Sequence, residues 1–167
     1  MNRVLYIPLL FCSLLFLQAF VFNNILFLGY INPFIYIAFV IFYPLKKERY
    51  LFLFLSFLLG LAIDFFADSG GINAFSLLFV AYIRLFLVRI IFKKTAQDYL
   101  LFNLQQEPFG KVFNYVITLI VIHHFILFSL ANFSFQNFSS VLTNTLYSSI
   151  FTSVLFFIGT YIIRKKK

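Results

Sequence analysis

The 167-residue sequence has no tryptophan, a single cysteine, and only five acidic residues against 13 basic ones. One cysteine, Cys12, excludes an intramolecular disulfide and any cysteine-rich metal site. Charged residues make up 11% of the chain, against about a quarter in soluble domains, which excludes a water-soluble globule. The length allows one compact bundle and no second, water-facing domain, so residues 1–167 read as a single integral membrane domain.

What is present is apolar and aromatic. Hydrophobic residues account for 63% of the chain, with 28 Phe and 10 Tyr, and the mean hydropathy is +1.00. Phenylalanine packs against lipid and against other helices alike, so this richness does not imply a cofactor box. A net charge of +8 would suit nucleic acid if it were clustered. The basic residues are instead dispersed between apolar segments, which excludes nucleic acid and points to anionic lipid headgroups as the partner.

Six stretches approach the roughly 20 residues that cross a bilayer: 4–22, 25–45, 50–66, 72–92, 112–131 and 141–163. The expected fold is therefore an all-α, polytopic membrane bundle of six transmembrane helices. The first run is longer than a signal-peptide core and lacks a small-residue cleavage site, so it reads as an uncleaved helix. Arg3, the Lys46, Lys47 and Arg49 cluster, Arg89 with Lys93 and Lys94, Lys111, and the Arg164–Lys167 run all fall on one face of such a bundle. The opposite connections carry no basic residue, so both termini are expected in the cytoplasm. Gly29, Asn32 and Pro33 interrupt the second stretch, which reads either as one broken helix or as a re-entrant piece followed by a helix from Phe34. Its freed backbone groups must then be covered by protein. Between the fourth and fifth stretches, Tyr99–Leu104 suits a short helix lying in the inner interface, with docking of a cytoplasmic protein as the alternative.

The residues that need explaining are the polar ones at hydrocarbon depth. Asp64 and Asp68 are four apart and share a helix face; a Ser69-Gly70-Gly71 turn follows, and Arg84 lies inside the next run. Counting about 1.5 Å per residue puts Asp64 about 20 Å from the inner edge and Arg84 about 13 Å above Lys93, so the two are expected to pair and clasp the third and fourth helices. On that reading Asp64→Ala leaves Arg84 buried without a partner. The alternative is that Asp64 and Arg84 line a cavity for a small solute. His123 and His124 point about 100° apart on the fifth helix, so they do not grip one ion together. One is expected to face the bundle and the other a partner or lipid. No metal or other cofactor is expected. The Ser, Thr and Asn residues between Thr143 and Ser153 read as close-packing positions rather than nucleophiles, with no base placed to complete a triad.

Gly60-x-x-x-Asp64, the Gly70-Gly71 turn, Ala74 and the Ala81-Tyr82 pair resemble MreD, the small membrane subunit of the bacterial rod-shape machinery. Length, cytoplasmic termini, His123-His124 and Phe133-Ser134-Phe135 extend the resemblance over much of the chain. The pattern departs from the family at Asp68, where many relatives carry glycine, so no role for Asp68 is carried over. The resemblance implies a non-catalytic scaffold in the cytoplasmic membrane. Its implied partners are MreC, RodA and a penicillin-binding transpeptidase, with MreB reached indirectly. A fainter similarity of helix arrangement links the chain to substrate-binding subunits of vitamin transporters. An intramembrane hydrolase resembling the lipoprotein signal peptidase would need two carboxylates from different segments, whereas Asp64 and Asp68 lie on one.

Overall fold

The computed structural model describes residues 3–25, 32–45, 49–94, 102–132 and 138–165. Among these every regular element is helical. Helix α1, Arg3–Phe16, continues through a π-helical turn, Leu17–Val21, and a 3-10 turn, Phe22–Asn24. A 3-10 turn at Ile35–Ile37 leads into the short α2, Ala38–Phe42. Four long helices follow: α3, Arg49–Ala67; α4, Ile72–Phe92; α5, Phe109–Ala131; and α6, Phe138–Lys165.

Five helical stretches are long and apolar enough to cross a membrane, corresponding to α1 with its extension, α3, α4, α5 and α6. Even in α4 only 44% of the apolar window is buried inside the bundle, so each helix also turns an apolar face outward. Such faces suit lipid, because the backbone polar groups are already satisfied along the helix. The chain order of packing is simple: α3 lies on α4, α4 on α5, and α5 on α6.

The described part of stretch 25–45 takes a different role from the other five. Its helix is short, and Tyr36, Ile37, Phe39 and Val40 are fully buried. They form the centre of the apolar core, with Leu59, Leu77, Leu119 and Ile120 packed around them. Pro33 bonds to Gln18 near the end of the first span, whereas Tyr43 bonds to Arg84 well down α4, so this segment runs lengthwise through the bundle. Gly29 lies outside the described residues. The freed backbone groups are covered by protein as expected: the buried Gln18 side chain accepts from Ile35 N–H at 2.9 Å and donates to Pro33 C=O at 3.1 Å. The π-helical turn that carries Gln18 is the local irregularity that accompanies this contact.

Helix α5 begins three residues before the expected Val112, with Pro108 at its N-cap, a position where a missing N–H costs nothing. Tyr99–Leu101 of the expected interfacial helix lie outside the described residues, as do Phe133-Ser134-Phe135. The following Phe102 packs edge-on to Phe92, and Lys94 pairs with Glu107 at 3.3 Å, so this end of the connection is tied to the base of α4.

Candidate functional site: an interlocked α3–α4 hairpin and a buried polar core

The hairpin between α3 and α4 is closed by a four-residue turn whose backbone is left-handed at Asp68, Gly70 and Gly71 (φ 50°, 65° and 93°). Glycine takes such angles without the steric cost that a Cβ carries, which is why two glycines stand here. Asp68 itself is exposed.

The turn brings the start of α4 onto Asp64. One carboxylate oxygen accepts from Asn73 N–H and Asn73 Nδ2, both at 2.9 Å, and from the Ser69 hydroxyl; the other accepts from Ala74 N–H at 2.8 Å. Asp64 is therefore an end-cap for α4 delivered from the preceding helix, with its negative charge at the positive end of the α4 dipole. Gly60, one turn earlier on the same face, lies against the same spot. A Cβ there would stand 2.5 Å from Ala74 Cα and 2.7 Å from Asn73 O. Gly60-x-x-x-Asp64 is thus one device: the glycine allows the close approach and the aspartate bonds across it.

The expected ion pair between Asp64 and Arg84 does not form. Arg84 lies ten residues past Ala74, about 15 Å farther along α4, and it has its own partners. Its Nε donates to Tyr115 Oη at 3.1 Å, its Nη2 donates to the Tyr43 and Ile41 carbonyl oxygens, and its guanidinium lies 5.0 Å over the Phe52 ring. Depth counted along the two helices put the charges within reach of an extended guanidinium. It could not show that backbone N–H groups would take up the carboxylate first. The alternative of a cavity shared by Asp64 and Arg84 is corrected with it, since the large cavity beside Arg84 is not lined by Asp64.

Both histidines face inward, which corrects the expectation that one would meet lipid or a partner. Adjacent helical positions do diverge, but the core segment covers one direction and α6 the other. His124 Nδ1 donates to Ile120 O at 2.8 Å, which leaves Nε2 to accept from the Thr152 hydroxyl at 3.1 Å. Thr152 in turn accepts from Phe34 N–H at 3.2 Å. His123 Nε2 donates to Tyr36 Oη at 2.9 Å, and Tyr36 donates to Asn73 Oδ1 at 2.7 Å. Asn73 then passes the chain to Asp64, so α5, the core segment, α4 and α3 are joined through four side chains. His123 Nδ1 is buried with no partner among the described residues. Among the described residues no three His, Cys, Asp or Glu side chains are grouped to hold a metal.

Replacing Thr152 with valine removes the acceptor for Phe34 N–H and the donor to His124 together. The expected loss is about 1–2 kcal/mol, between the membrane average for such bonds and the cost of an orphaned buried group. Thr143, exposed and bonded only to carbonyls of its own helix, is the control: Thr143→Val should leave the melting temperature of the detergent-solubilised protein unchanged. Equal melting of Thr152→Val and wild type would remove the bridge from the list of stabilising contacts.

Gln18, Tyr36, Asn73 and Tyr115 are not singled out by the sequence, and Thr152 reads there only as one of the close-packing positions of the sixth helix. Gln18 could have been, as a lone amide in an apolar run. The others gain their roles only from tertiary partners.

The described residues form an all-helical bundle with five helical stretches long and apolar enough to cross a membrane, compatible with a multi-pass membrane protein. Searches against protein-family models, curated proteins and solved structures find no match for this chain.

Proposed function

We propose that this chain is a non-catalytic scaffold subunit of the MreD type, acting in the bacterial rod-shape complex and supporting lateral peptidoglycan synthesis. The observation that carries this reading is the interlock at the head of α4. The residues on which the resemblance rests, Gly60, Asp64, Gly70, Gly71 and Ala74, meet in one hairpin, and their shared task there is to fix its shape. Asp64 has both oxygens committed to donors of its own chain. A subunit whose product is an interface needs a fixed bundle with apolar outer faces, and α3 and α4 present Phe54, Phe65, Phe75, Phe79 and Phe86 outward. Partners such as MreC would pack against such faces through their own helices, where contact is driven by van der Waals fit. RodA and a penicillin-binding transpeptidase would join through the same zone, with MreB reached indirectly.

In this reading the chain sits in the bacterial cytoplasmic membrane and crosses it six times, the core segment 25–45 making the second passage. Arg49, Arg89, Lys93, Lys94 and Lys111 stand at the start of α3, the end of α4 and the start of α5, which supports a cytoplasmic position for that end of the bundle and, with six crossings, for both termini.

The test is a mild-detergent pull-down of the tagged protein from its own cells with mass spectrometry. Recovery of MreC with RodA or its transpeptidase is the expected result. Recovery of the chain alone, or with a pair of ATPases, would overturn the scaffold reading in favour of solute transport.

A further inference from the structure

A cavity of about 690 Å³ opens at the end of the bundle where α1 begins and α6 ends. Its size falls within the roughly 300–1,000 Å³ of small-molecule sites. The walls are largely apolar and aromatic: Tyr6 from α1, Phe42 and Pro44 from the core segment, Phe109 from α5, and Phe157 and Tyr161 from α6. Arg84 is the one charged side chain among the lining residues, joined by the polar Tyr115, Asn103 and Thr160.

Arg84 is 3% exposed and is held by neutral groups only: two carbonyl oxygens, one phenol and one aromatic face. Among the described residues the one ion pair is Lys94–Glu107, and no carboxylate of those residues pairs with Arg84. These hydrogen bonds use Nε and Nη2, which leaves the Nη1 donors without a partner among the described residues. A buried cation with neutral partners alone remains costly, and an anion brought to it forms the stronger, charge-assisted kind of hydrogen bond.

We propose that this cavity binds an anionic amphiphile, its phosphate or carboxylate head on Arg84 Nη1 and its aliphatic tail among the aromatic side chains. The apolar walls disfavour a wholly polar solute such as free phosphate or a sugar. The rigid placement of the guanidinium by Tyr115 and the Tyr43 carbonyl fixes where the head is held. Asp64 takes no part, being at the other end of α4. The site stands independently of the scaffold reading, since it rests on the cavity and on Arg84 alone.

The test uses the full-length protein in neutral detergent, titrated with dodecyl phosphate or with the matched cation dodecyltrimethylammonium, and read by native mass spectrometry. One saturable dodecyl phosphate adduct is expected, and no corresponding adduct of the cation. Arg84→Gln should weaken the adduct about tenfold or more, the change expected from losing one charge-assisted hydrogen bond. Val112→Trp, which fills the cavity from α5 and leaves Arg84 its partners, should weaken it similarly while helicity by circular dichroism stays unchanged. Should Arg84→Gln fail to fold, Val112→Trp and the cation comparison decide. Equal adducts of anion and cation, or unchanged binding in Val112→Trp, would overturn the proposal. Organic extraction of protein purified from its own membranes separates the sources: a two-chain phosphodiester lipid means a bilayer phospholipid, and a monoester or free acid means a separate ligand. Stoichiometric neutral or zwitterionic lipid in place of either would overturn the role given to Arg84.

Discussion

Asp64→Ala should destabilise the protein by about 3–5 kcal/mol, because it orphans the Asn73 and Ala74 N–H groups inside the bundle, each at a cost of about 1–3 kcal/mol, and also removes the charge at the head of α4. The expected readout is a large fall in melting temperature in detergent, with less full-length protein accumulating in the membrane. Asp64→Asn can keep its oxygen for the three donors that meet Oδ1 but turns its NH2 toward Ala74 N–H and loses the charge, so it should recover part of the loss and not all of it. A fully stable Asp64→Asn variant would sink this account and return the carboxylate to a functional role. The effect is also expected to be independent of Arg84. The two residues share no partner and stand about 15 Å apart along α4, so a double-mutant cycle of Asp64→Ala with Arg84→Met should be additive to within about 0.5 kcal/mol. Coupling well above that would restore the clasp inferred from the sequence.

The clasp shows where sequence reading reaches its limit. Length and hydropathy placed α4 at residues 72–92, as observed, and placed α3 within a residue at each end, because a long apolar run has one stable form at that depth. The unusual residues Gly60, Asp64 and Arg84 were also legible, since each breaks the composition around it. Their partners were not. Asp64 is satisfied largely by backbone N–H groups, which every residue carries and no sequence displays. Arg84 is anchored through Nη2 by carbonyl oxygens at the end of α2, a helix too short to announce itself. One of the two histidines was expected outside for a related reason: a 100° separation on α5 puts one of them against lipid or a partner only if the bundle covers one side, and here α6 offers Thr152 on the other. Stretch 25–45 was hardest, because an apolar run broken by Gly, Asn and Pro reads alike as one broken helix and as a re-entrant piece followed by a helix. The cover for its freed backbone groups comes from the Gln18 side chain in the π-helical turn after α1, a partner that the stretch itself does not display.

Gly60→Ala should be nearly as damaging as the loss of Asp64, although it adds only one methyl group. The new Cβ would lie 2.5, 2.7 and 2.8 Å from Ala74 Cα, Asn73 O and Ala74 N, all backbone atoms that no rotamer change can move aside. Relief requires α3 and α4 to separate at the point where Asp64 bonds to the same two residues, so overpacking and lost hydrogen bonds act together. Overpacking alone costs about 1–3 kcal/mol, and the weakened cap brings the expected total to about 3 kcal/mol or more. Gly159→Ala is the matched control, since a Cβ there meets nothing within 4 Å, and alanine's higher helix propensity should leave α6 unchanged or firmer by up to about 1 kcal/mol. Unfolding of both variants in detergent separates a general intolerance of substitution from a specific close approach. In the scaffold reading, recovery of partner proteins should fall with Gly60→Ala and persist with Gly159→Ala. A Gly60→Ala protein that melts like wild type would mean that α3 and α4 do not meet through backbone contact, and the cap built on Asp64 would lose the geometry that makes it possible.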